Sequence, residues 1–179
     1  GIKGATLSMI ECALEISHRT IPAEDVWRLV ERAKEMMAHP VELLDGALDA
    51  LDALACHRLM LVTKGDVMDQ RRKIEHSGIA ERFDAIEIVH EKDPQTYAAA
   101  LDRHGVDPRR FVMVGNSLRS DIHPVLALGG WGIHVPYETT WAIEHAEAPE
   151  DHPRFRVARS ITEAADLIVG SGSIAAAPD

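Results

Sequence analysis

Aromatic residues make up only 4% of this 179-residue chain, so its core has to be built from Leu, Ile, Val, Ala and Met. Cysteine is scarcer still. Cys12 and Cys56 are too few for a disulfide framework, and neither sits in a CxxC or zinc-like spacing. A reducing, cytoplasmic setting is the expectation. Positive charge is also short: 19 Lys and Arg face 29 Asp and Glu, for a net charge of −10. That excludes a general nucleic-acid or anionic-membrane binder, which needs a basic face. No apolar run approaches the roughly 18 residues that cross a bilayer, and the start, Gly1-Ile2-Lys3-Gly4, has no signal-peptide core. What is present, 46% hydrophobic and 27% charged residues, suits a globular protein of one domain and part of another.

The first forty residues read as two helices. Leu7, Ile10 and Leu14 recur at helical spacing, and after Thr20 and Pro22 a second stripe runs from Val26 to Met37. Each has one apolar face, which is too little for the pair to fold alone. From residue 41 the pattern alternates. A helix carries Leu44, Leu48, Leu51 and Ala55, and a strand covers 58–62. Asp66 caps a helix that stops at Gly78. A strand over 85–89 and a helix over 94–104 follow, then a strand over 111–114 and a helix over 121–128. A strand over 132–135 comes next, and 161–169 is a last short helix or strand. The stretch 138–159 reads as a polar, acidic and solvated loop, and 171–179 as a loose tail.

Strands and helices alternating at this spacing form parallel strands joined by crossover helices. Leu59–Val62 and Phe111–Val114 are apolar throughout, as strands covered on both faces should be. In such sheets ligands bind beyond the carboxyl ends of the strands.

Three segments stand there. Thr63 is followed by Lys64-Gly65-Asp66, where a hydroxyl and the N–H groups opening a helix can hold an anionic oxygen. Alone, Thr63 reads better as a residue that caps or turns the chain. Lys92, just ahead of Pro94, is either a solvated charge or a fixed cation opposite developing negative charge. Gly115-Asn116-Ser117 leads to Asp121, which is either a helix cap or a hard oxygen ligand for Mg²⁺.

Taken in order, Thr63, Lys92 and Gly115-Asn116…Asp121 resemble motifs two, three and four of the haloacid dehalogenase-like (HAD) hydrolase superfamily. Motif two matches Leu59-Met-Leu-Val-Thr63, motif three Lys92 with Pro94, and motif four Val112-Met-Val-Gly-Asn-Ser-Leu-Arg-Ser-Asp121. The resemblance covers about residues 41–170. It implies a Rossmann-like three-layer α/β sandwich with a parallel sheet, and makes residues 1–40 part of a helical cap. It further implies catalysis by Thr63, Lys92 and Asp121, with Lys64, Gly65, Asn116 and Ser117 around the substrate. Asp121 and Asn116 would hold Mg²⁺, and the substrate would be a small phosphorylated molecule. Carbon–halogen hydrolysis without metal is the alternative chemistry in the family, and a non-catalytic interaction module the alternative outside it.

Two departures matter. Motif one, the Asp-x-Asp that supplies the nucleophile, matches no aspartate in the chain. The expectation is therefore a fragment whose central strand is missing, with 58–62 and 111–114 flanking the vacant place and no turnover from the chain alone. The second departure is Asn116, which stands where an acid is usual and removes one negative charge from the metal site.

Overall fold

The structure is a computed structural model that describes residues 1–138, 144, 146–170 and 174. The expected loose tail over 171–179 lies, Ile174 aside, outside the described residues. The chain divides into two compact units, Gly1–Glu42 and Leu43–Asp179.

The first unit is a helical hairpin of α1 (Ile2–Ile16) and α2 (Ala23–Ala38). His18 and Arg19 turn the chain with positive φ, and the Ser17 hydroxyl accepts the Ile21 N–H at 3.2 Å. Only Thr6 and Ala33 are buried in the two helices, while Leu7 and Ile16 are 64% and 76% exposed. The hairpin buries little of its own apolar surface, as its one-faced stripes predict.

The second unit is an α/β fold whose strands all run parallel. β1 (Met60–Lys64) pairs with β2 (Ala85–Val89), Thr63 standing opposite Ile88. β3 (Val112–Gly115) pairs with β4 (Trp131–His134), and β4 with β5 (Phe155–Val157). Among the described residues β1 and β3 do not pair, so the strands form a two-stranded and a three-stranded sheet. The two are nonetheless neighbours, because Val62 of β1 and Met113 of β3 share one core cluster with Tyr97 and Val125.

Helices α3 (Ala47–Ala53), α4 (Val67–Ser77), α5 (Pro94–Arg103), α6 (His123–Ala127) and α7 (Ile161–Gly170) complete the unit. Asp66 caps α4 by accepting the Asp69 N–H, and Asp93 caps α5 by accepting that of Thr96 at 2.7 Å. Both satisfy helix-end donors that would otherwise be orphaned. None of the described helices is long and apolar enough to cross a membrane.

Three local readings need correction. β1 reaches Lys64, so Thr63 and Lys64 lie within the strand rather than past it. The helical segment after β3 begins at Leu118, not Asp121. It opens with a π-turn over Leu118–Ile122 whose N-cap is Ser117, and Asp121 sits inside that turn. The polar stretch 138–159 also contains a strand, β5, anchored by buried Phe155 against Ile122 and Leu126.

Candidate active site

The polar groups come from the end of β1, which includes Lys64, and from the segments that follow β2 and β3. Asp121 is nearly fully buried, at 4% exposure, and Lys92 reaches it from the segment before α5: Nζ donates to Oδ1 at 2.7 Å. The second oxygen, Oδ2, accepts the Ser117 N–H at 3.0 Å. The aspartate expected from sequence to serve as cap or ligand is thus fixed at both oxygens by groups of the same loop and of motif three. Gly115 makes this possible. A Cβ there would lie 2.3 Å from Asp121 Oδ2 and 2.6 Å from its Cβ.

The π-turn that presents Asp121 is held from behind. In a regular helix the Ser120 carbonyl would accept from residue 124, but Pro124 has no N–H. The buried Tyr97 hydroxyl of α5 donates to it instead, at 3.2 Å. Burial and the nearby Asp121 charge push the Tyr97 phenol well up, so it stays a donor. Tyr97→Phe removes that donor, and a buried acceptor stripped of its partner costs about 1–3 kcal/mol. Urea unfolding of the two chains measures the loss, and equal midpoints would mean the carbonyl finds another donor.

A second cluster adjoins the first. Lys64 Nζ donates to Glu91 Oε1 at 2.9 Å, to Glu144 Oε1 at 3.0 Å and to Ser120 Oγ at 3.4 Å. The other Glu144 oxygen accepts the hydroxyls of Ser117, at 2.6 Å, and Ser120. Burial disfavours the Glu144 charge, but both hydroxyls and Lys64 outweigh it and hold the carboxyl down at about 2. Burial likewise opposes the Lys64 charge, and its two glutamates more than offset this and raise it. Sequence reading placed Glu144 in a solvated loop and missed it. Its one signal was proximity to the strand ends in the fold, which no local pattern encodes.

The remaining expected site residues are placed as follows. The Thr63 hydroxyl donates to Gln70 Oε1 of α4 at 2.8 Å rather than to the Lys92–Asp121 pair. Gly65 donates its N–H to the Val89 carbonyl at 3.1 Å, joining the ends of β1 and β2. The Asn116 carbonyl accepts from His134 Nε2 at 3.1 Å. The structure therefore brings Lys92, Asp121 and Ser117 together directly, with Lys64 linked to them through Ser120. Among the described residues no three His, Cys, Asp or Glu side chains converge as a metal cage. Chemically the site offers the buried Asp121 carboxylate, two lysines and two hydroxyls, with Glu91 and Glu144 as further carboxylates on Lys64, a set suited to an anion that replaces one of these and to a cation held jointly with it.

Comparison with known proteins bears on the family and the fold. Residues 11–129 match the family model of haloacid dehalogenase-like hydrolases. A haloacid dehalogenase-like family hydrolase from Xanthomonas campestris is 45% identical and superposes with a TM-score of 0.84, over 95% of this chain and 75% of that one. YfnB of Bacillus subtilis, a HAD-hydrolase solved bound to magnesium, shares the fold at 16% identity, with a TM-score of 0.61 over 95% of this chain and 83% of its own. The N-acylneuraminate-9-phosphatase of Mus musculus is 40% identical over 77 residues, which are 40% of this chain and only 31% of that enzyme. The chain thus matches about a third of the length of this curated relative. With parallel strands, motif residues at their carboxyl ends and the family model spanning most of the sequence, the chain belongs to the haloacid dehalogenase-like hydrolases.

Proposed function

We propose that this chain carries the anion- and metal-handling part of a Mg²⁺-dependent phosphohydrolase that works through an aspartyl-phosphate intermediate. Its nucleophilic aspartate is supplied by polypeptide outside these 179 residues. The observation that carries the reading is the buried Lys92–Asp121 pair, which joins the segment after β2 to the segment after β3, while β1 and β3 do not pair with each other among the described residues. A parallel strand between them would complete a Rossmann-like three-layer sandwich and bring its own terminal residue beside Lys92. The helical hairpin of residues 1–40 is, on this reading, part of a cap.

Each residue then has a task. Lys92 stabilises the attacking carboxylate and the transferring phosphoryl group as negative charge shifts between them. Thr63 turns its hydroxyl from Gln70 to a phosphoryl oxygen, with Lys64 next to it, while Gly65, whose N–H is held by the Val89 carbonyl, lines the substrate side of the turn. Ser117 orients Asp121 through its N–H. The donor set fits Mg²⁺ in type: Asp121 and the Asn116 amide are hard oxygen donors, and this ion commonly takes one or two carboxylates and completes its shell with water and phosphate. Bound there, the cation would neutralise charge on the phosphoryl group. The likeness to N-acylneuraminate-9-phosphatases supports a small phosphorylated substrate over a haloacid.

The test is hydrolysis of p-nitrophenyl phosphate with Mg²⁺. The 179-residue chain gives no turnover, since removing a nucleophile leaves only residual catalysis. A longer chain that includes an Asp-x-Asp strand is active and is silenced by EDTA. Metal-dependent activity copurifying with the short chain would overturn the missing nucleophile. Halide release from a haloacid that survives EDTA would replace the phosphatase reading with the dehalogenase one.

A further inference from the structure

The Glu144 carboxylate is bound as a ligand is bound. One of its oxygens faces the Lys64 ammonium, and the other takes two hydroxyl protons from Ser117 and Ser120. Both serines are buried, at 6% and 5% exposure. The hydroxyls are also committed in direction. Ser117 Oγ accepts the Ser120 N–H at 2.9 Å, and Ser120 Oγ accepts from Lys64 at 3.4 Å, so each has its proton left to give. Donors aimed in advance at one point bind an anion with little further ordering. Glu91 shares Lys64, so the seat keeps a compensating carboxylate whether or not Glu144 is present.

We infer that Lys64, Ser117 and Ser120 form an oxyanion seat, one residue away from the Thr63 and Asp121 positions, and that Glu144 is its internal occupant. An anionic group of the substrate, carboxylate or phosphate, enters by displacing the Glu144 side chain. Glu144 thereby sets the affinity of the site and rejects ligands that lack a group able to compete with it. A protein whose binding-competent form is only partly populated binds more weakly by that fraction, and removing the competitor restores the difference. The inference rests on the reading that an anionic substrate comes to this end of the strands, but it is tested without turnover.

The probe is inorganic phosphate, titrated calorimetrically into the 179-residue chain in Mg²⁺-free buffer. Glu144→Ala tightens binding at least tenfold, and Glu144→Gln, which keeps the shape and removes the charge, tightens it at least threefold. Adding Lys64→Met to either variant returns binding to the wild-type level or below. Wild-type affinity in both Glu144 variants overturns the seat, as does a gain that survives the loss of Lys64. If Glu144→Ala fails to fold, the Gln variant decides. Turnover is read separately. An active longer chain whose Glu144 variants bind phosphate no better defeats the seat and leaves the phosphatase standing.

Discussion

Lys92→Met costs the chain about 3–5 kcal/mol of folding free energy, the range expected when one partner of a buried ion pair is removed. The pair is well sheltered, with side chains 13% and 6% exposed. Without Lys92 the Asp121 carboxylate keeps only the Ser117 N–H of the two contacts described, in a place water reaches poorly. Domain stabilities run at about 5–15 kcal/mol, so the single variant approaches unfolding at room temperature. Asp121→Asn alone leaves the lysine buried without its counter-charge and costs a similar amount. The double variant Lys92→Met/Asp121→Asn recovers most of the loss, because no unpaired charge remains, and the cycle yields a large coupling energy. Urea unfolding of the four chains checks this. A Lys92→Met chain within about 1 kcal/mol of wild type would mean that Asp121 is solvated or finds another cation.

Gly115→Ala is the second large effect. The added methyl meets three atoms of Asp121 at 2.3, 2.5 and 2.6 Å, well inside contact distance. The carboxylate cannot step aside cheaply, since Lys92 and Ser117 hold its two oxygens. Overpacking of this kind costs about 1–3 kcal/mol, and here the upper end applies because relief breaks the ion pair as well. Gly4→Ala serves as the contrast. It lies within α1 with nothing inside 4 Å of the new methyl, and the helix gains up to about 1 kcal/mol. Thermal unfolding of both variants separates a steric cause from a general intolerance of glycine replacement. Equal midpoints for Gly115→Ala and wild type would show that the loop moves freely.

Much of this fold could be read from the sequence, and the reasons are local. Asp66, Gly78 and Pro94 punctuate their helices by chemistry that needs no tertiary context. The parallel arrangement follows from apolar runs at crossover spacing, which α4, α5 and their flanking strands obey. What escaped was set at a distance. β5 has three residues and one inward side chain, Phe155, whose role appears only when Ile122 and Leu126 are beside it. The early start of the helix after β3 depends on the Ser117 hydroxyl capping a π-turn, where an aspartate looked the better cap. Lys92 and Asp121 were singled out by motif and do meet. Thr63 was singled out too, yet its hydroxyl is taken by Gln70, a residue no motif pointed to. Glu144 was invisible because its partners lie 24 to 80 positions away in the chain.

The unpaired boundary between β1 and β3 has a mechanical consequence. Within each half of the sheet the alignment of neighbouring strands is locked by a ladder of backbone bonds, and a slip of one residue would turn every side chain over. Across the boundary the described residues offer side-chain and helix packing in place of a backbone ladder: the ammonium of Lys92 on Asp121, that of Lys64 on Ser120, the Tyr97 phenol on the Ser120 carbonyl, and the core cluster to which Val62 and Met113 both belong. The two halves are therefore aligned by a few adjustable bolts instead of a rigid seam. Altering one bolt shifts one half against the other, so the geometry of the candidate site and the alignment of the sheet are governed by the same few atoms.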